Sequence, residues 1–160
     1  MQVEIELIKT KILCGVKFKT SLHLNNTFLL WQNFMQKKNK IPNILHADLF
    51  SVEIYPSHYF EVFDPTVSFE KWAASEVSNK LQVLEDFDYL TIPEGLYAKF
   101  LYKGHPQNAQ ASFHYIFTDW LPQSNYLLDQ RPHFELMGKG YKNNQPDSEE
   151  FFYIPIKPKT

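Results

Sequence analysis

Glu135 is the side chain in this sequence with the most distinctive chemical setting. It stands in Arg131-Pro132-His133-Phe134-Glu135-Leu136-Met137, the one acid on an otherwise apolar and aromatic segment. On a strand, His133, Glu135 and Met137 point to one side and Phe134 and Leu136 to the other. If the Glu135 side turns inward, an unpaired carboxylate there is costly. It then needs a proton, a protein donor or a ligand cation. If that side turns outward, Glu135 is solvated and Phe134 and Leu136 fill the core. The pattern accommodates both.

Rings supply the other half of a cation site. Fourteen Phe, nine Tyr and three Trp make up 16% of the 160 residues, a surplus that either fills a core or lines an apolar pocket. Ring faces attract ammonium and delocalised cations, each contributing roughly 0.5 to 2 kcal/mol. Trp31, Tyr55, Trp72, Tyr97, Phe117 and Trp120 are the candidate walls of such a cleft. Taken singly, each also reads as an ordinary core residue.

Residue type and spacing argue against other chemistries. The five glycines fall in no Walker or Rossmann spacing, and no G-x-S-x-G elbow occurs. His23, His46, His58, His105, His114 and His133 are never three or four residues apart, so neither a metal nor a cofactor is expected. Cys14 is the only cysteine and lies in an apolar stretch, which suits a small core residue. Asp147, Glu149 and Glu150 read as a solvated turn. Net charge is −2 with the signs interspersed, which argues against direct nucleic-acid binding. The acidic, alternating N-terminus is no signal peptide, and no apolar run approaches membrane-spanning length. A soluble cytoplasmic protein without membrane contact is expected.

The elements that would position these groups alternate regularly. Val3, Ile5 and Leu7 alternate with Glu4 and Glu6, predicting a strand with one wet face, and a second strand spans about 12–19. Asn25 or Asn26 can cap a helix with Phe28, Trp31 and Met35 at helical spacing, widened by Leu30 and Phe34. Leu49 to Tyr55 predicts a strand with Phe50, Val52 and Ile54 on one face and Ser51, Glu53 and Tyr55 on the other. Tyr59 to Phe63 is a candidate hairpin extension. Phe69 to Val77 reads most simply as a further strand, with a short helix as the alternative because Glu, Lys and Ala are not strand formers.

The second half repeats the order. Leu96 to Tyr102 is a strand, and Asn108 is a candidate cap for a helix sharing Phe113, Ile116, Phe117 and Trp120 on one face. Pro122 should stop that helix at Leu121. Tyr126 to Leu128 reads as a crossing loop, Gly138 to Glu150 as an exposed turn, and Phe151 to Ile156 as a closing strand with Pro155 at an edge or strand end. The predicted fold is α+β: two tandem strand-helix-strand-strand units, about 1–80 and 81–160 of a single domain. They form a curved antiparallel sheet with helices on one face and a central ligand cleft.

Several runs, taken together, resemble a known family. They are Ile92-Pro93-Glu94-Gly95-Leu96-Tyr97-Ala98-Lys99-Phe100, then Gly104, then Asp119-Trp120-Leu121-Pro122-Gln123-Ser124-Asn125-Tyr126, then Arg131-Pro132-His133-Phe134-Glu135, then Tyr153-Ile154-Pro155-Ile156. This ordered set resembles the gyrase-inhibitor-like, or AraC-type, effector-binding domain, and the likeness extends over essentially the whole chain. Trp72-Ala73-Ala74-Ser75-Glu76-Val77 resembles the family's aromatic-x-Ala-Gly strand, with Ala74 where glycine is common.

The resemblance implies a cleft that takes small hydrophobic cations, with Glu135 at the position of the glutamate that engages the charge. The regulators of the family carry a helix-turn-helix, whereas the domain uses up these 160 residues. Any effect on transcription is therefore expected to pass through a separate DNA-binding regulator, or through gyrase. Some relatives hydrolyse reactive small molecules with this glutamate as base. Binding without catalysis is the first expectation here, and hydrolysis the alternative.

Overall fold

The computed structural model describes residues 1–80 and 84–160. Nine strands form one antiparallel system: β1 (Val3–Ile8), β2 (Lys11–Thr20), β3 (Ile44–Ile54), β4 (Phe69–Val77), β5 (Asp88–Ile92), β6 (Gly95–Lys103), β7 (Tyr126–Leu128), β8 (His133–Met137) and β9 (Glu149–Pro158). Their order is β1-β6-β9-β8-β3-β4-β2-β5, with β7 added on β9. Helix α1 spans Thr27–Lys37. Helix α2 spans Gln110–Tyr115 and continues through a π-helical segment, Ile116–Trp120, into the short turn α3, Leu121–Gln123.

The α+β arrangement of strand-helix-strand-strand units is present as β2-α1-β3-β4 and β6-α2-β8-β9, with β7 inserted in the second. The units join at the β3–β8 seam. Each unit lends a strand to the other, since β1 pairs with β6 and β5 with β2. The expected junction at 80/81 abuts residues 81–83, which lie outside the described residues.

Antiparallel partners share a face, so the register divides the side chains cleanly. One face carries Phe50, Val52, Trp72, Phe134, Tyr97 and Tyr153, which meet Leu13, Ile8 and Ile92 in a single buried cluster. Residues from both ends of the strand order meet there, so the sheet must curl around this face. The opposite face carries both helices. Around α1, Leu30 and Phe34 pack on Cys14, Val16, Ala73 and Val77. Around α2, Ile116 packs on Ala98, Phe100, Phe152, Ile154 and Ile156. Between these flanking clusters run β3 and β8. Gly15 is required where β2 crosses β4, because a Cβ there would lie 2.0 Å from the Ala73 carbonyl oxygen.

Several expectations are corrected. Val3, Ile5 and Leu7 are exposed rather than core residues, because β1 is an edge strand. The buried side of α1 is Leu30 and Phe34, while Phe28 is 76% exposed and Met35 faces solvent. Asn26 sits at the start of α1 without a side-chain cap, and Asn108 is part of a 3₁₀ turn rather than the cap of α2. That turn is capped by the His105 side chain, which accepts from the Gln107 N–H.

Pro122 does not stop the second helix at Leu121, since helix continues to Gln123. A proline crowds the carbonyl four residues before it and cannot bond to it; that carbonyl belongs to Thr118, and the helix is π-wound there, with bonds that span five residues rather than four. Tyr59 to Phe63 forms turns instead of a hairpin, and Tyr126 to Leu128 is a strand. Strand β9 is interior, between β6 and β8. Pro155 fits because pairing to β8 ends at Tyr153 and pairing to β7 begins at Ile156.

Candidate functional site

The centre of the β3–β8 register is the pair Ser51↔Glu135, and Glu135 is also the partner of Phe152 on β9. This places Glu135 on the helix-bearing face, between the two helical clusters, with only 7% of its surface exposed. Phe134 points the other way into the closed core. Both sides of β8 are therefore covered, and the choice between an inward and an outward Glu135 is resolved as inward.

Strand pairing surrounds Glu135 with charge. Glu53 lies two residues along β3 from Ser51, and Lys71 on β4 is the register partner of Glu53. Lys71 Nζ lies 2.6 Å from Glu53 Oε2 and 3.8 Å from Glu135 Oε1. Ser51 donates to Glu53 Oε2 at 3.5 Å. Glu150, at the start of β9, joins the same electrostatic group and is 8% exposed. Asp147, Glu149 and Glu150 were expected to form a solvated turn, but Glu150 and Ser148 are buried. Three buried carboxylates thus share one lysine.

The imbalance sets the protonation states. Burial raises the Glu135 carboxyl well above its ordinary range, and neighbouring Glu53 raises it further, through its charge and a hydrogen bond, against partial opposition from Lys71. Burial likewise pushes Glu150 up to about 7, with Lys71 opposing and Glu53 adding. For Lys71, burial works against the charge, and Glu53, Glu135 and Glu150 outweigh it, so the ammonium is retained.

Aromatic rings close the site from above. Tyr55 follows β3 directly, and burial, then Glu53 and Glu135, raise its hydroxyl. Its ring packs on Tyr59 at 4.5 Å and on Phe60, Phe69 and His133 at 4.8 Å each. Phe60 stacks on Phe117 of the π-helical segment at 4.8 Å and on His133 at 5.4 Å. Burial holds His133 neutral, its value lowered to about 3. The turn that delivers Tyr59 and Phe60 contains His58 in the left-handed region (φ 68°). Beside it opens a depression of about 270 Å³, lined by Tyr55, Tyr59, Phe60, Glu61, Asp129 and His133 among others.

Of the seven residues singled out in the sequence, Glu135, Tyr55 and Phe117 come together here. Trp72 and Tyr97 are on the opposite face, inside the closed core, where Trp72 donates to Glu70 at 2.6 Å and Tyr97 donates to the Pro132 carbonyl at 2.8 Å. Trp31 packs edge-on to Phe34 in the α1 cluster, and Trp120 edge-on to Phe100 in the α2 cluster. Sequence reasoning missed Lys71 and Glu150 as neighbours of Glu135, and Tyr59 and Phe60 as ring partners of Tyr55. Glu53 was within reach, because it alternates with Ser51 and Tyr55 on one face. Cys14 is a buried core residue, its thiol pushed up to about 11 by burial and then by Asp88. Among the described residues no helix is long and apolar enough to cross a membrane.

The GyrI-like small molecule binding domain model matches residues 1–157. No sequence among functionally curated proteins matches. Among solved structures, SAV2435 bound to tetraphenylphosphonium has a TM-score of 0.71 at 17% identity, covering 98% of this chain and 94% of that one. The C-terminal domain of EcmrR gives 0.72 at 13% identity, covering 98% of each chain. A hydrolase encoded by lin2189 from Listeria innocua gives 0.61 at 9% identity, covering 98% of this chain and 92% of that one. Likeness at these identities is likeness of fold.

Proposed function

The chain belongs to the GyrI-like small molecule binding domain family, and from that premise we propose that it captures lipophilic cations, with Glu135 as counter-ion. The observation that carries this reading is the buried acidic excess beneath a cluster of rings: Glu53, Glu135 and Glu150 against Lys71 alone, under Tyr55, Phe60 and Phe117. An acidic excess in a low-dielectric site is relieved by taking up a proton or a cation. A cation with apolar bulk gains ring contact as well. The 270 Å³ depression lined by Tyr55, Tyr59, Phe60 and His133 is the opening on the ring side of the acids and supports entry from there. SAV2435, of the same fold, holds a cation of this class.

The test compares Glu135→Gln with the unaltered protein, using calorimetric titration with tetraphenylphosphonium and with its neutral relative triphenylphosphine oxide. Affinity for the cation should fall at least tenfold and affinity for the neutral compound should barely change. Equal losses would remove Glu135 as the counter-ion. The bound compound is then sequestered, or reported to a separate DNA-binding regulator or to gyrase. A pulldown with and without ligand distinguishes these outcomes.

Hydrolysis is the second reading, favoured by the Tyr55 hydroxyl lying within electrostatic reach of Glu135 and Glu53. It is the weaker one, because a general base must be ionised before a neutral substrate arrives, whereas a ligand cation itself favours the ionised form of Glu135 that this environment otherwise disfavours. Turnover of electrophilic esters or epoxides that is lost in Glu135→Gln would promote it.

A further inference from the structure

Lys71 occupies the place that a ligand cation needs. Its ammonium lies between two of the three acids, 2.6 Å from Glu53 and 3.8 Å from Glu135, and its side chain is only 16% exposed. The groups facing it are Ser51 and Glu53 from β3, Glu135 from β8, Glu150 from β9 and Tyr141 from the segment before β9. Tyr55 completes the enclosure above Glu53 and Glu135. Among the described residues Lys71 is the one cation paired with Glu135; Lys17 sits over Trp72, Lys99 over Phe151, and Arg131 over Tyr97, all on the opposite face.

We infer that Lys71 is a specificity-determining residue, a tethered cation that rivals the ligand for Glu135 and so sets which cations the site accepts. The inference rests on the cation-capture reading and deepens it. A positive group arriving within contact of Glu135 meets the Lys71 ammonium at similar range, and like charges repel strongly where water is excluded. Small ammonium ions, with little apolar area to offset that repulsion, are rejected. Bulky cations with delocalised charge succeed by spreading the charge and by contacting the rings. Lys71 stays on Glu53, already in contact at 2.6 Å, when they bind. Discrimination then comes from a repulsive element as much as from an attractive one.

The experiment measures tetraphenylphosphonium, tetramethylammonium and triphenylphosphine oxide binding to the unaltered chain and to Lys71→Met by calorimetry. Lys71→Met should bind tetraphenylphosphonium at least tenfold more tightly and should begin to bind tetramethylammonium. Triphenylphosphine oxide should stay within twofold. Glu53→Gln/Lys71→Met, set against Glu53→Gln, guards against misfolding because it removes the lysine together with its nearest acid; the same gain is expected between those two.

Unchanged or weaker cation binding in the folded variants overturns the inference, as does an equal gain for the neutral compound, which would mean altered packing. If the unaltered chain binds tetraphenylphosphonium through Glu135 but loss of Lys71 changes nothing, only this inference fails. If no variant binds any cation, the cation-capture reading fails with it.

Discussion

The two faces of β8 and its neighbours are buried to a similar degree and built of opposite materials. On one, Phe134 stacks on Tyr153 at 4.4 Å and lies 5.6 Å from Phe50 and 5.2 Å from Tyr97, with Val52 and Trp72 beside them. On the other, one residue along the same strand, Glu135 meets Glu53, Lys71 and Glu150. The apolar face stabilises by area and packing. The charged face costs free energy that apolar residues of the same volume would not. Two faces of one strand have thus been put to different use, and the expensive one is where a ligand function is expected.

The comparison can be broken from either side. Phe134→Ala should be the most damaging change, costing about 3 to 5 kcal/mol in urea unfolding, because it opens a cavity among fixed rings. A loss under about 1.5 kcal/mol would show that the apolar face is not the main source of stability. Glu53→Gln should cost less, roughly 1 to 3 kcal/mol, because Lys71 loses its 2.6 Å partner but keeps Glu135 at 3.8 Å. A carboxyl stretch in infrared spectra should at the same time show Glu135 ionising.

Glu150→Gln gives an effect that depends on pH. The folded value of about 7 lies above the ordinary 4.5, so between them the folded state holds a proton that the unfolded state has lost. This group therefore lowers stability as pH rises from about 4.5 to about 7, on the order of 3 kcal/mol in all. His133 runs the other way, neutral when folded, and removes stability as pH falls below 6.5. Both variants carry the His133 contribution, so the difference between unaltered protein and Glu150→Gln isolates the Glu150 slope. A flat difference would contradict it. Cation affinity should tighten over the same interval.

Smallest of all should be Glu135→Gln in the absence of ligand, within about 0.5 kcal/mol, because an amide resembles the protonated acid. A loss above about 1.5 kcal/mol would mark Glu135 as an ionised structural partner of Lys71. The same change in Phe134 or Glu53 would not be so mild, and that ranking is the sharpest statement of how the faces differ.

Much of the fold was legible in residue order because it rests on local periodicity. Alternation over Leu49 to Tyr55 separates the residues of the two faces there, and turn residues punctuate much of the rest. The first errors came where tertiary position overrode pattern. Val3, Ile5 and Leu7 alternate as a half-buried strand would, yet edge placement leaves them exposed. Phe28 and Met35 sit at helical spacing on the wrong side of α1. The candidate site was less legible. Trp72 is as aromatic as Tyr55, and only the register shows that one lies beneath the sheet and the other above it.

By itself, then, the sequence determined the two strand-helix-strand-strand units, the alternation that separates Glu135 from Phe134, and the motifs that resemble one family. Those follow from neighbours along the chain. The tertiary structure alone decided that Glu135 is covered, that Lys71 stands against it, and that Glu150 is no surface acid. These groups are 64 and 15 residues from Glu135 in sequence and meet only through strand pairing across β4, β3, β8 and β9. Charge balance in a buried site is a sum over such pairings, and no local pattern carries it.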